Sequence, residues 1–289
     1  MRLGDFEIYL MVAGGWHPDA GTLFGVVPKS VWQRRRPADE NNLIRTACVG
    51  AVVKHGGKVV VCETGIGTKL SEKQARQFGV WEPDAMLGSL RRLGVRPEEV
   101  DLVMTSHLHW DHAGGLTRRG ADGHLELTFP RARHVVQRAE WEFALHPDPR
   151  SRAGYMEEDL LPMAESGLIE FVEGEAELVP GLWVRQTGGH TPGHQLVVFR
   201  ASEDLACVMT GDLVGLQQHL RVPWVPSADL DVMRTIEEKT RLLEEASRHR
   251  WLLVLGHEVE QPAGYVAGSG EWTPEPELNE PVQEELLGP

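Results

Sequence analysis

The fold of this chain is decided by residues 105–116, which read Thr-Ser-His-Leu-His-Trp-Asp-His-Ala-Gly-Gly-Leu. His107 and His109 have the period-two spacing of an extended segment, so their side chains leave the backbone on the same side. Asp111 and His112 are sequence neighbours, and their side chains must diverge. Imidazole and carboxylate groups together suit zinc, and this geometry favours two adjacent metal ions over one.

Three further short motifs each place a metal-binding side chain after an apolar run. His190 lies in Gly-His-Thr-Pro-Gly-His, Asp212 in Thr-Gly-Asp and His257 in Leu-Gly-His, and each motif follows a predicted strand. Together with His-x-His-x-Asp-His, and in this order, the motifs resemble those of the metallo-β-lactamase superfamily over roughly residues 47–257. The resemblance implies an α/β fold, the four-layer αββα sandwich, in which two sheets lie back to back with helices outside.

The resemblance also implies a cofactor of two Zn²⁺ ions per chain, with Fe or Mn left open because ligand type alone does not separate these metals. Three histidines are expected to hold the first ion, two histidines and an aspartate the second, and another aspartate to bridge both. In that order the residues are His107, His109 and His190; Asp111, His112 and His257; and Asp212. Asp111 is the expected catalytic residue, since it can both bind metal and hold the proton of a bridging hydroxide that attacks the substrate.

Two more groups are expected beside these ligands. The family places a carboxylate at the end of the second hairpin strand, where it orients the metal site, and in this chain the residue is Glu63, one methylene longer than the usual Asp. His194 is expected to support the ligands or the packing without binding metal. Loop and insertion aromatics suggest a substrate pocket, and its candidate residues are Phe24, Trp32, Trp110 and Tyr155.

The implied activity is hydrolysis of an ester bond, with a lactone of the N-acyl-homoserine-lactone type or another carboxylic ester as the first substrate class. An organophosphate or aryl-ester hydrolase and a glyoxalase-II-like thioesterase stay open, whereas a non-enzymatic metal-binding protein is least favoured because all seven ligands are present. Several lactonases of the family carry Tyr three residues after the bridging aspartate, where this chain has Gly215. The sequence therefore leaves the proton donor to the leaving group unidentified, with Tyr155 and His17 as candidates.

Composition restricts the partners and the compartment. The 289 residues include 29 basic and 43 acidic side chains, and the net charge of -14 argues against binding to nucleic acid. Cys48, Cys62 and Cys207 lie in apolar, strand-like stretches, which predicts buried free thiols and a reducing cytoplasm. The N-terminus lacks a signal-peptide pattern, and no apolar run approaches the length of a membrane span. We expect a cytoplasmic protein with a small-molecule substrate and no membrane partner; a homodimer stays open.

The chain is expected to form one hydrolase domain over residues 1–267, followed by an acidic tail over residues 268–289. The tail holds four prolines, six glutamates and no Lys or Arg, so the sequence predicts that it is mobile. The basic run Arg34–Arg36 is expected in a solvated loop.

The clearest predicted helix spans Asp229–Ser247, with Ser227 or Asp229 as its N-cap. The residues predicted to share one face of this helix are Met233, Ile236, Thr240 and Leu243.

Overall fold

The computed structural model describes residues 1–268 and 270–280, which form two seven-stranded sheets and a small two-stranded one. The first nine strands are β1 (Arg2–Leu3), β2 (Phe6–Trp16), β3 (Thr46–His55), β4 (Lys58–Cys62), β5 (Leu102–Met104), β6 (Thr117–Arg119), β7 (Leu125–Leu127), β8 (Arg133–Gln137) and β9 (Ile169–Val172). The remaining strands are β10 (Glu175–Val179), β11 (Leu182–Gln186), β12 (Gln195–Ser202), β13 (Leu205–Met209), β14 (Leu252–Val254), β15 (Ala263–Val266) and β16 (Trp272–Pro274).

Each large sheet comes from one continuous half of the chain. The first has the order β1-β2-β3-β4-β5-β8-β9, and the second runs from β10 to β16 in sequence order; β6 and β7 pair only with each other. The parallel pairs of the first sheet are β4 with β5, β5 with β8 and β8 with β9. In the second sheet, β13 pairs parallel with β14. Residues 46–53 of β3 are buried on both faces, as expected for a strand covered by other layers on each side.

Helices cover the outer face of each large sheet. The α-helices are α1 (Ala20–Phe24), α2 (Lys29–Trp32), α3 (Glu72–Phe78), α4 (Ala85–Arg92), α5 (Trp110–Ala113), α6 (Arg138–Leu145), α7 (Glu157–Ser166) and α8 (Val232–His249). Apolar residues of α4, α6 and α7 pack on the first sheet, and those of α8 pack on the second. A third core lies between the sheets and includes Val49 and Phe199. The predicted αββα sandwich is confirmed, and no helix within the described ranges is long and apolar enough to cross a membrane.

The two sheets meet along the edge where the predicted ligands lie. Ala47 and Val49 of β3 donate backbone hydrogen bonds to the carbonyls of His257 (3.3 Å) and Gly256 (2.9 Å). The loops after β4 and β5 reach this edge from the first sheet, and those after β11, β13 and β14 reach it from the second. Parallel neighbours place their following loops at the same end of a sheet, which explains why motifs distant in sequence converge here.

The buried face of α8 differs from the predicted one. Met233 is 64% exposed, and the face turned inward carries three polar residues. The buried residues of the helix are Thr235, Glu238, Lys239, Leu242 and Ala246. Polar groups are tolerated here because they have partners: Thr235 Oγ1 donates to Asp229 Oδ2 at 2.6 Å, and Lys239 Nζ donates to the Trp224 carbonyl at 2.7 Å.

The N-cap of α8 is Asp231, which accepts a hydrogen bond from Arg234 N at 3.0 Å, and not Ser227 or Asp229 as predicted.

Arg36, the last residue of the basic run, does not lie in a solvated loop as predicted. Its guanidinium forms an ion pair with the buried carboxylate of Glu258 at 2.9 Å, so this arginine is not part of a solvated loop.

The predicted mobile tail is wrong for residues 270–280. Strand β16 pairs antiparallel with β15 and closes the second sheet. Leu278 is only 2% exposed, and Asn279 exchanges two hydrogen bonds of 2.8 and 2.9 Å with the backbone of Ala263. These contacts anchor the segment to the domain, so the chain does not leave the fold after residue 267. Residues 281–289, the rest of the predicted tail, lie outside the described residues.

Candidate metal centre

The seven predicted ligands converge at the edge where the sheets meet. Their ligand atoms form three groups, two of which share His107, and within each group the atoms lie within 4.8 Å of one another. The groups are His107, His109 and His190; His107, His112 and Asp212; and Asp111, His257 and Cys48. The last group adds Cys48, which the sequence did not single out as a ligand.

Ring nitrogens face one another inside this cluster. Nδ1 of His109 lies 2.8 Å from Nε2 of His107 and 3.2 Å from Nε2 of His190, and the Nε2 atoms of His112 and His257 are 3.2 Å apart. A neutral imidazole carries a single N–H, so a set of nitrogens pointing at one another leaves lone pairs directed into shared space. Such an arrangement fits divalent cations placed among the rings.

Asp212 reaches both parts of the cluster. Its Oδ1 lies 2.8 Å from Nε2 of His257 and 3.1 Å from Nε2 of His112, and its Oδ2 lies 3.1 Å from Nε2 of His190. Oδ1 is buried and makes no hydrogen bond with any described residue, despite these short approaches. A buried carboxylate oxygen without a hydrogen bond is costly unless a cation satisfies it, and this also fits a metal.

The outer nitrogen of four histidines contacts a fixed partner away from the cluster. The pairs are His107 Nδ1 with Ser106 Oγ (3.0 Å), His112 Nδ1 with Glu63 Oε2 (2.9 Å), His190 Nδ1 with Asp229 Oδ1 (2.7 Å) and His257 Nδ1 with the Ala47 carbonyl (2.9 Å). A proton held on Nδ1 by a carboxylate or carbonyl leaves the Nε2 lone pair free to bind metal. The contacts of His112, His190 and His257 therefore fix the tautomer of these rings, and all four contacts fix the orientation of the rings.

Glu63 lies beside the cluster of predicted ligands, as the resemblance to the family implies. It follows β4 in the left-handed region, with φ of 60°. One carboxylate oxygen contacts His112, and the other accepts a hydrogen bond from Ser106 N at 2.7 Å. A non-glycine residue in this conformation is strained, and such strain persists where the surroundings hold the residue in place.

His109 is held differently from the other histidines. It turns Nδ1 toward the cluster, and its ring packs against that of Tyr155 with centroids 4.9 Å apart. Gly154 lies directly against the same ring. A Cβ atom at Gly154 would stand 2.6 Å from Cδ2 of His109, so only glycine leaves room for the ring at this position.

Glu140 joins the two loops that carry the first group of histidines. Its carboxylate accepts hydrogen bonds from Leu108 N (2.9 Å), Thr191 Oγ1 (2.5 Å), Gly193 N (3.2 Å) and Tyr155 Oη (3.1 Å). Burial raises the pKa of Glu140 above its ordinary value, although these donors oppose the rise. The side chain thereby fixes the spacing between the loops after β5 and β11.

His194 supports Asp212 and takes no part in the ligand groups. Its Nδ1 contacts Thr187 Oγ1 at 2.6 Å, and its Nε2 accepts a hydrogen bond from the backbone N–H of Asp212 at 3.1 Å. Burial lowers the pKa of His194 to about 3, so the ring is neutral and can accept that bond.

The protonation of the ligands follows from burial and from the carboxylates. Burial lowers the pKa of His107 and His109 well below the usual histidine value, which leaves both rings neutral. Burial also opposes protonation of His112 and His257, but Asp212 outweighs it and raises the pKa of both.

A cavity of about 310 Å³ opens above the cluster. Its floor includes His109, Asp111, His190, Asp212 and His257, and its wall contains Trp16, Leu23, Phe78 and Trp110. Three of the wall residues form an aromatic row: Trp110 stacks on Phe78 with centroids 4.9 Å apart and meets Trp16 edge-on at 5.2 Å. Trp16 also donates from Nε1 to Asp111 Oδ2 at 3.1 Å, linking the wall to the floor.

Of the predicted pocket residues, only Trp110 lines this cavity. Phe24 and Trp32 are buried in a separate small core, stacked on each other with centroids 5.1 Å apart, so their assignment to the pocket is wrong. Tyr155 lies behind His109, with its hydroxyl bonded to Glu140. His17 contacts the Gly79 carbonyl through Nδ1 at 2.6 Å and does not line the cavity.

Trp16, Cys48, Glu140, Arg150 and Asp229 at or beside the site were missed by the sequence analysis. Asp229 could have been found, because a buried histidine ligand needs a partner for its second nitrogen and a carboxylate precedes the next helix. Trp16 and Cys48 gave no local signal, since both lie on strands far in sequence from the ligands that they approach.

Comparisons with known proteins agree with this geometry. The family model of the metallo-beta-lactamase superfamily matches residues 45–257. An N-acyl homoserine lactonase from Bacillus thuringiensis is 32% identical over 180 residues, which are 62% of this chain and 64% of that protein. The alignment therefore spans slightly less than two thirds of the relative's length.

Two solved structures have the same fold. A probable metal-dependent hydrolase from Staphylococcus aureus superposes with a TM-score of 0.88 at 30% identity, over 95% of this chain and 99% of that one. A dizinc quorum-quenching lactonase bound to its product N-hexanoyl-L-homoserine superposes with a TM-score of 0.78 at 20% identity, over 95% and 96% of the chains. At that identity the second match concerns the fold alone.

Proposed function

The chain belongs to the metallo-β-lactamase superfamily, and on this premise we propose that it is a dinuclear zinc hydrolase that opens lactones of the N-acyl-homoserine-lactone type. The observation that carries the proposal is the convergence of seven ligand side chains, with ring nitrogens facing one another, under a mostly apolar cavity. The lactonase activity named for the Bacillus thuringiensis relative supports the choice of substrate class.

In this proposal, His107, His109 and His190 hold one ion, and Asp111, His112 and His257 hold the other. Asp212 would join the two, since its oxygens approach histidines of both sets. Zinc bound here would polarise the substrate carbonyl and lower the pKa of a coordinated water to about 7, which supplies a nucleophile at neutral pH.

The chain's own residues position the reactants. Trp16 Nε1 holds Oδ2 of Asp111, and so orients the carboxylate that faces the reacting centre. The row of Trp16, Trp110 and Phe78 offers an apolar face to an acyl chain and excludes water from one side of the cavity. The guanidinium of Arg150 lies at the cavity and donates to the Asp229 carbonyl at 3.2 Å, which ties the cavity wall to the loop that orients His190.

The glycine at position 215 supports a second candidate function, which is hydrolysis of aryl esters or phosphotriesters. Glycine lines the cavity where several lactonases place a tyrosine, so no side chain from this position can protonate the leaving group. His219 also lines the cavity, but its Nε2 contacts the Leu23 carbonyl at 2.9 Å and its Nδ1 accepts from Leu216 N at 3.3 Å. Both ring nitrogens are therefore occupied, and substrates with good leaving groups suit such a site.

Two measurements test the function. Elemental analysis of protein purified without chelator should give about two zinc-class ions per chain, and one ion or none at full occupancy would contradict the dinuclear site. A substrate panel on zinc-loaded protein should then compare N-acyl-homoserine lactones, aryl phosphotriesters and thioesters. We expect the ratio of kcat/KM to the spontaneous hydrolysis rate to be largest for the lactones; a larger ratio for either other class would replace the substrate assignment.

A further inference from the structure

The cluster contains a sulphur that the seven-ligand arrangement does not use. Cys48 Sγ lies within 4.8 Å of ligand atoms of both Asp111 and His257. All three residues are more than nine-tenths buried, with exposed fractions of 2%, 6% and 6%. The thiol is therefore not a surface group that happens to lie near the site.

The backbone fixes this cysteine opposite His257. On one side of it, Ala47 donates to the His257 carbonyl and accepts from His257 Nδ1 at 2.9 Å. On the other side, Val49 donates to the Gly256 carbonyl at 2.9 Å. These three hydrogen bonds span the junction between the two sheets, so the position of the sulphur relative to the imidazole is set by the main chain.

Resting on the proposed metal-dependent function, we propose that Cys48 is a direct ligand of the metal held by Asp111 and His257. Zinc binds thiolate sulphur at about 2.3 Å and histidine nitrogen at about 2.0–2.1 Å, so tetrahedral ligands of these types are about 3.6 Å apart. The observed grouping within 4.8 Å includes that separation. When the metal–sulphur bond forms, the thiol proton passes to solvent, and no oxidant or reductant is needed.

A sulphur ligand makes the two metal positions chemically different. The position of His107, His109 and His190 offers only nitrogen in its group, whereas the position of Cys48 adds a soft donor. Soft thiolates favour thiophilic ions, so the position of Cys48 selects Cd²⁺ or Co²⁺ over harder ions such as Mn²⁺. Mixed-metal occupancy, with the softer ion at Cys48, follows from this difference.

Cobalt substitution of the full chain tests the assignment. Protein stripped with a chelator is reloaded anaerobically with Co²⁺, and visible d–d absorption together with elemental analysis counts the bound ions. Coordination by sulphur adds an intense near-ultraviolet charge-transfer band, which histidine and carboxylate ligands do not give. We expect the band in the unmodified protein and its loss in Cys48→Ser at unchanged cobalt content.

The other two cysteines provide matched controls. Cys62 and Cys207 are buried free thiols in the core between the sheets, and neither belongs to a metal-binding group among the residues that the structure describes. Cys207→Ser and Cys62→Ser should therefore keep the band. Bound cobalt without the band, or a band that survives in Cys48→Ser, would overturn the assignment of Cys48 alone. Failure to bind cobalt at all would overturn the proposed function with it.

A second readout avoids the need for a folded variant. In ¹¹³Cd NMR of the cadmium-loaded unmodified protein, a sulphur ligand moves one resonance far downfield of a site with nitrogen and oxygen ligands only. We expect one resonance of each kind. Two resonances in the nitrogen and oxygen range would exclude Cys48 from the site, whatever the stability of Cys48→Ser.

Discussion

Oε2 of Glu63 lies 2.9 Å from Nδ1 of His112, and Glu63 makes this contact from a backbone with φ of 60°. The other oxygen of the same carboxylate accepts from Ser106 N, next to His107. One side chain thus orients a histidine and fixes the start of the segment that carries four of the proposed ligands. The strained backbone is compensated by these contacts, which hold the carboxylate in place.

We expect Glu63→Gln to weaken metal binding about 10- to 100-fold, because a partner of a ligating histidine typically contributes that much. The amide keeps the size of the side chain and loses the charge that holds the proton on Nδ1 of His112. Competition with a chelating dye measures the affinity. Glu245→Gln is the control, since Glu245 pairs with Arg185 away from the cluster. Equal affinities for the two variants would contradict the orienting role.

Gly154→Ala should displace His109 and lower the affinity of the first metal position. The added Cβ would stand 2.6 Å from the ring, a distance that forces either the ring or the segment to move. Zinc content after dialysis against a weak chelator and kcat/KM should both fall. Gly88→Ala, where the nearest atom to the added Cβ is 3.6 Å away within α4, is the matched control and should leave both unchanged. Normal zinc content in Gly154→Ala would show that the ring can shift without loss of binding.

Asp212→Ala removes the carboxylate that approaches histidines of both sets. We expect fewer than two bound ions and a fall in kcat/KM of more than about 100-fold, since changes outside the ligand shell already cost about 10- to 100-fold. Elemental analysis and kinetics at saturating zinc measure the two effects. Asp204→Ala, at a surface aspartate paired with His249, is the control. Near-normal turnover in Asp212→Ala would remove Asp212 from the site.

The rate should depend steeply on the leaving group, because Gly215 supplies no proton donor. General acid catalysis is typically worth about 10²- to 10⁴-fold, and without it poor leaving groups must depart unprotonated or wait for water. Log kcat/KM across a series of aryl and alkyl esters should fall as the leaving-group pKa rises. A flat dependence would mean that an efficient donor exists, and Asp111 at the cavity would be the first residue to substitute. A tyrosine at position 215 is not a simple remedy, since a Cβ there would lie 3.1 Å from His257.

Lys239 predicts a pH dependence of stability on the alkaline side. Burial lowers its pKa from 10.5 to about 8, although Asp229 opposes the shift. The unfolded chain therefore holds more protons than the native one between these values, and the contribution of Lys239 to stability rises with pH through that window. Lys239→Met abolishes this titration. Between about pH 8 and pH 10.5, the free energy of unfolding of the unmodified protein should rise by about 3 kcal/mol relative to that of Lys239→Met. Urea unfolding of metal-free protein measures this difference. A constant difference would show that the lysine keeps its ordinary pKa.

The ligand motifs could be predicted because each is a local pattern at the end of a strand. Spacing alone places His107 and His109 on one side of an extended segment, whereas the roles expected of His190, Asp212 and His257 rest on the resemblance of their motifs to those of the family. The partners of these ligands could not be predicted in the same way. Trp16 and Asp111 are 95 residues apart in sequence, and no periodicity relates them.

The errors have a common physical cause, which is that burial was assigned from side-chain type. Met233, which the sequence groups on one helix face with Ile236 and Leu243, is exposed, whereas Lys239 is buried because the Trp224 carbonyl accepts its hydrogen bond. Phe24 and Trp32 were placed at a pocket because aromatic side chains on loops often bind ligands, but they pack on each other. The composition of the segment before residue 281 predicts mobility, yet β16 pairs with β15 and Leu278 is buried in the core.

The junction between the two sheets has a consequence for the lifetime of the folded protein. Each sheet is a continuous half of the chain, and the proposed ligands come from both halves. Ions bound across the junction would act as two reversible cross-links that form after both halves have folded. The halves could separate only after both ions had left, so the rate of irreversible inactivation should follow zinc dissociation more closely than the packing of either core. In zinc-poor surroundings, the rate constant for zinc dissociation would then determine how long the folded protein persists.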